Sequence, residues 1–120
     1  MSEYSVNILD TDALKNTVDN NSDLVKELIR LYLGNLPKLM ERIQEGIIRK
    51  DNRLIEESAH ALKGMSFNIS AKKTADTALS LRKIGRNNES EKAGEVYALL
   101  EKNVEELRQA LDHLVNIESA

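Results

Sequence analysis

No cysteine occurs in the chain, which excludes disulfide staples and thiol chemistry. The two histidines, His60 and His113, stand too far apart for conventional zinc-ligand spacing, so no metal is assigned to this chain. Proline occurs once and aromatic residues make up 3% of the sequence, so the composition that builds strands is missing. Neither charge dominates: 17 Lys and Arg against 20 Asp and Glu leave a net charge of -3, which argues against nucleic acid as a main partner. No apolar run is long enough to span a bilayer, and the opening MSEYSVNILD lacks the basic start and apolar stretch of a signal peptide. The expected compartment is the cytoplasm, with no membrane partner. No Pro/Gly/Ser-rich linker, internal repeat or low-complexity segment divides the chain, so residues 1–120 are read as a single domain with one core.

What is present favours helix: Leu, Ala, Glu, Lys and Arg dominate. A short first helix is predicted over residues 11–18, capped by Asp10 or Thr11 and ended by the DNNS run. Residues 22–48 place Leu24, Leu28, Tyr32, Leu36, Leu39, Ile43 and Ile47 at spacings of three and four, which predicts one buried stripe. Pro37 is expected to kink that helix. Further helices are predicted over 52–69, 71–85 and 89–115, the last opened by Asn88 and Glu91 at capping-box spacing. In the last helix Ala93, Val96, Leu100, Val104, Leu107, Leu111 and Leu114 form a near-heptad stripe. A two-chain coiled coil would use the same positions, but a bundle core accounts for them within one chain, and a monomer is expected. The predicted fold class is all-α: an antiparallel up-down-up-down four-helix bundle, with a short additional N-terminal helix covering one end.

The third helix separates two kinds of residue. Leu54, Ile55, Ala59, Leu62, Met65, Ser66 and Ile69 share the predicted core side, while Arg53, Glu56, Glu57, His60, Lys63, Gly64 and Phe67 fall opposite. His60 thus projects from the middle of a rigid helix, with Lys63 and Gly64 on the neighbouring turn. A helix-interior glycine costs about 1 kcal/mol relative to alanine, so its place beside the histidine points to a need for room. A neutral imidazole nitrogen as nucleophile, an open approach and a nearby ammonium suit a ring that carries phosphate. Phe67, one turn further on, is a candidate contact for a protein partner or else part of the core at the helix junction. His113 lies between Leu111 and Leu114 without glycine or basic neighbours and is read as structural or solvated, and Glu56 and Glu57 as solvated.

The run HALKGMSFNISA, residues 60–71, resembles the signature of histidine-containing phosphotransfer (HPt) domains, H-x-L-K-G-x-S-x-x-x-G-A, and LIRLYLGNLPKLMERI before it looks like that family's preceding helix. The resemblance implies a four-helix bundle with an extra N-terminal helix, in which His60 accepts phosphate from one receiver-domain aspartate and passes it to another. It makes Lys63 the cationic neighbour and Gly64 the steric gap. Receiver domains of response regulators or hybrid kinases become the expected partners. Mg²⁺ is expected in the receiver, and no cofactor in this chain. The family's usual Gly is Ser70 here, which is expected to serve as N-cap of the fourth helix. Where family members often carry Gln or Glu that accepts a hydrogen bond from the ring, this chain has Arg82. Arginine has no acceptor, so it would bind phosphoryl oxygens instead, together with Arg86 one turn later, or else be merely solvated.

No paired carboxylates, nucleotide-binding Gly-rich loop or Ser/His/Asp set appears, so the chain reads as a phosphocarrier and not as an autonomous kinase. The leading expectation is a phosphorelay intermediate. Two alternatives stand beside it: the phosphotransfer module of a chemotaxis-type histidine kinase, and a helical interaction module that is never phosphorylated.

Overall fold

The computed structural model describes residues 4–119, and the regular elements within them are helical. They are α1 (Thr11–Asn16), α2 (Ser22–Arg49), α3 (Asn52–Asn68), α4 (Lys72–Arg86), a single 3-10 turn (Ser90–Lys92) and α5 (Ala93–Glu118). Helices α2 to α5 form the antiparallel up-down-up-down bundle, 45 × 21 × 18 Å, and α1 covers one end. Helices α1, α2 and α3 each start at a side-chain cap, of which only Asp10 was expected from the sequence. Asp10 accepts from the Ala13 N–H at 3.0 Å, and Asn21 and Asp51 accept from Leu24 and Leu54, both at 3.1 Å.

The helix stops are made without glycine. Lys50, Ser70 and Asn88 adopt left-handed backbone at φ 55°, 63° and 58°, whereas no glycine has positive φ among the described residues. At each stop two backbone N–H groups turn back onto the last turn of the helix. In α3 the donors are Ser70 to the Phe67 carbonyl and Ala71 to the Ser66 carbonyl, at 3.0 and 2.9 Å. Two expectations are corrected here. Ser70 does not cap α4; it closes α3, and Ala71 starts α4 with no side-chain cap. Asn88 does not open a capping box; it ends α4 in the left-handed region, and the 3-10 turn that follows has no side-chain cap either. Local spacing cannot distinguish a residue that ends one helix from one that begins the next when the linker is this short. Left-handed backbone is strained for a β-carbon, so Ser70→Gly is expected to raise unfolding free energy by about 0.5–1 kcal/mol. Urea unfolding checks this, and a loss of stability would contradict the assignment.

The buried apolar side chains form one cluster that draws on every helix, including Leu14 of α1, Leu36 and Ile43 of α2, Leu62 of α3, Leu81 of α4 and Leu107 of α5. Helix α1 ends at Asn16 rather than 18, and Val18 packs against the core from the turn that follows. In α2 the predicted stripe holds from Tyr32 onward but is out of phase in the first turns: Leu24 is exposed, and Val25 and Ile29 are buried. The helix runs on through Pro37 to Arg49. In α5 the stripe holds and is joined by a buried amide. Asn103 donates to the Thr77 hydroxyl at 2.7 Å and ties α5 to α4, a link the apolar pattern did not signal. At the far end Glu118 accepts from Lys15 at 2.8 Å and from Ser22 at 2.5 Å, joining α1, α2 and α5.

Candidate functional site

Helix α3 is held from two sides, and the contacts define where its outer face lies. Toward α2, an ideal Cβ on Gly46 would stand 2.9 Å from Ile55 Cγ1, and the Tyr32 hydroxyl meets Ser66 Oγ at 2.8 Å. Toward α4, a Cβ on Gly85 would stand 2.6 Å from the Asn52 carbonyl oxygen and 2.7 Å from the Glu56 nitrogen. Ile55, Ser58, Ala59, Leu62 and Ser66 are buried between these neighbours, with Leu54 and Met65 at the margin. The signature serine therefore acts inside the bundle. Burial pushes the Tyr32 phenol up to about 12, with its hydrogen bond to Ser66 opposing the rise, so this link between α2 and α3 stays un-ionised at neutral pH.

His60 faces out, exposed, from the middle of α3, and none of the described residues hydrogen-bonds its ring. Gly64 follows on the next turn, and a Cβ built there meets nothing within 4 Å. Packing within this chain therefore does not require the glycine; the space it leaves opens to solvent. Lys63 is half-buried on the flank toward α4, and Phe67 is 68% exposed, which places it on the surface and not in the junction core.

The Gly85 contact also fixes the register of α4 against α3. The helices are antiparallel, and Gly85 lies over the turn between Asn52 and Glu56, so Arg82, one turn earlier, lies over the turn between Glu56 and His60. Side chains tilt toward the N-terminus of their own helix, so Arg82 and His60 lean toward each other. Arg82 is half-buried and Arg86 exposed on the same flank. Lys63, Arg82 and Arg86 form no ion pair among the described residues, whereas Arg53 is engaged by Glu57 at 2.9 Å and Lys72 by Asp76 at 2.7 Å. His60, Lys63 and Gly64 thus share one side of α3 with Phe67 further along it, and the register sets the turn of α4 that bears Arg82 beside that side, with Arg86 a turn away. Glu56, read from sequence as solvated, is half-buried at the α3–α4 seam. Gly85, to which the sequence reading gave no role beyond the end of a helix, is the residue that lets α4 approach α3 this closely.

His113 stays outside this face. It is half-buried near the other end of α5, its ring edge-on to Tyr4 with centroids 6.0 Å apart. Both line a cleft of about 530 Å³ between the N-terminal segment, α1 and α5, and His60 is no part of it. Among the described residues no group of His, Cys, Asp and Glu is arranged to hold a metal, and no helix is long and apolar enough to cross a membrane.

The bundle thus presents an exposed histidine, and cations that form no ion pair among the described residues, on an open helix face outside the cleft that His113 lines. The family model of the Hpt domain matches residues 27–114, from α2 to the last turns of α5. The chain belongs to the HPt domain family, and its role is phosphotransfer in two-component signalling, where HPt domains interact with receiver domains. Among solved structures, the HPt domain of an Hpt sensor hybrid histidine kinase from Shewanella is similar in fold, with a TM-score of 0.82 at 19% identity over 97% of this chain and 100% of that one. No curated protein sequence matches the chain.

Proposed function

We propose that His60 is the residue that carries the phosphoryl group, in a relay between two receiver domains. The observation that supports this most directly is the open space at Gly64 beside an exposed imidazole on a rigid helix. A neutral ring nitrogen attacks the phosphorus of a receiver's aspartyl phosphate in line. The new P–N bond forms as the P–O bond breaks, and the electron pair leaves with the carboxylate. Lys63, Arg82 and Arg86 supply charge for the phosphoryl oxygens, and Phe67 supplies apolar contact for the receiver. The Mg²⁺ that assists the step belongs to the receiver. On this reading the chain works as a cytoplasmic monomer, because one copy holds the whole acceptor face.

Incubation with a phosphorylated receiver is expected to label the wild-type chain, and His60→Gln to abolish the label entirely. Undiminished transfer to that variant would remove His60 from the mechanism.

A further inference from the structure

We propose that Arg82, assisted by Lys63 and Arg86, shifts the phosphoryl equilibrium toward this chain, so that it acts as a phosphoryl reservoir as well as a conduit. This rests on His60 being the acceptor and adds what sets the occupancy of that site. Before transfer the face holds an imidazole beside cations that no carboxylate engages. After transfer it holds a phosphoryl group carrying close to two negative charges. Cations already in place interact little with a neutral ring and strongly with the dianion, so they stabilise the phosphorylated state selectively.

Three observations make Arg82 the principal residue. Its register against Gly85 sets it over the turn that carries His60. It is half-buried, so its field is screened less than that of the more exposed Arg86. The competing acids nearby are limited: Glu57 is engaged by Arg53 and Asp76 by Lys72, and Glu56, the carboxylate on the same seam, is not ion-paired with Arg82. The guanidinium fork can give two parallel hydrogen bonds to phosphoryl oxygens from a fixed helix position.

The test needs no partner protein. Phosphoramidate donates to histidine: the ring nitrogen forms a bond to phosphorus, the donor's P–N bond breaks, and ammonia leaves with the electron pair. At fixed phosphoramidate and ammonium concentrations, the ratio of phosphorylated to free protein is read by intact mass, approached from both directions. Arg82→Met is expected to lower that ratio about tenfold, the scale of one charge-assisted hydrogen bond. Arg82→Lys should fall between the two, and circular dichroism should show all three folded alike. Arg53→Gln, which removes a cation already engaged by Glu57, should leave the ratio within about twofold. An unchanged ratio in Arg82→Met, or an equal drop in Arg53→Gln, overturns the reservoir while leaving His60 as acceptor. Absence of a phosphoryl mass increment on wild-type His60 removes both.

Discussion

Replacing Gly64 by leucine is expected to leave the protein folded and to slow phosphoryl transfer by about a hundredfold or more, because small displacements of a reacting group are that costly in an in-line geometry. The two effects separate because they have different origins. A Cβ at Gly64 meets nothing within 4 Å, so the bundle has no reason to resist a side chain there. The backbone is ordinary helix, with no positive φ to lose, and leaving glycine should raise helix stability by about 0.5–1 kcal/mol. The isobutyl group then occupies the space next to the His60 ring, where a receiver must bring its aspartyl phosphate. Urea unfolding and transfer rates measured on one preparation check both halves. Normal rates would show that the gap has no role in access, and a large loss of stability would show that its role is internal.

Gly85→Ala is expected to do the opposite and act through the fold, at a cost of about 1–3 kcal/mol, with a fall in Tm on the order of 5 °C or more. The added methyl would stand 2.6 Å from the Asn52 carbonyl oxygen, 2.7 Å from the Glu56 nitrogen and 3.1 Å from the Glu56 Cα. All three are backbone atoms of α3, so no side chain can rotate away and the helices must separate. Separation loosens the seam between Ala59 of α3 and Ala78 and Leu81 of α4, which are fully buried. It also carries Arg82 away from the turn that bears His60, so the occupancy of the phosphoryl site should fall together with stability. Differential scanning calorimetry decides it. A wild-type Tm would mean that α3 and α4 are not held this close in solution.

The two glycines look alike in the sequence. Both lie in strongly helical stretches, and the same reasoning about conformational cost applies to each. Gly64 was interpretable because His60 and Lys63 stand within one turn of it, so its neighbours along the chain carry its meaning. Gly85 has no such neighbours. Its role depends on Asn52 and Glu56, more than 25 residues earlier, and becomes visible only when α4 is laid against α3. Leu24 illustrates the same limit in the core. Leu24 and Val25 both extend an apolar spacing, and only the packing of α2 against its neighbours selects Val25 for burial.

The sequence alone determined the helical class, the number of main helices, Asp10 as a candidate cap of the first helix and the outward face of α3. Each depends on residues within about two turns of one another, where propensity, periodicity and capping chemistry act. The tertiary structure decided whether Phe67 is core or surface, which residues close the helices, and what stands over the histidine from the next helix. These depend on how two helices meet. The left-handed stops at Lys50, Ser70 and Asn88 set the antiparallel return, and the contact at Gly85 sets the register that lays the turn of Arg82 over the turn of α3 leading to His60. A periodic pattern gives the inward face of each helix, but it contains no information about which turn of one helix lies against which turn of another, because that is fixed by close packing between atoms distant in the chain.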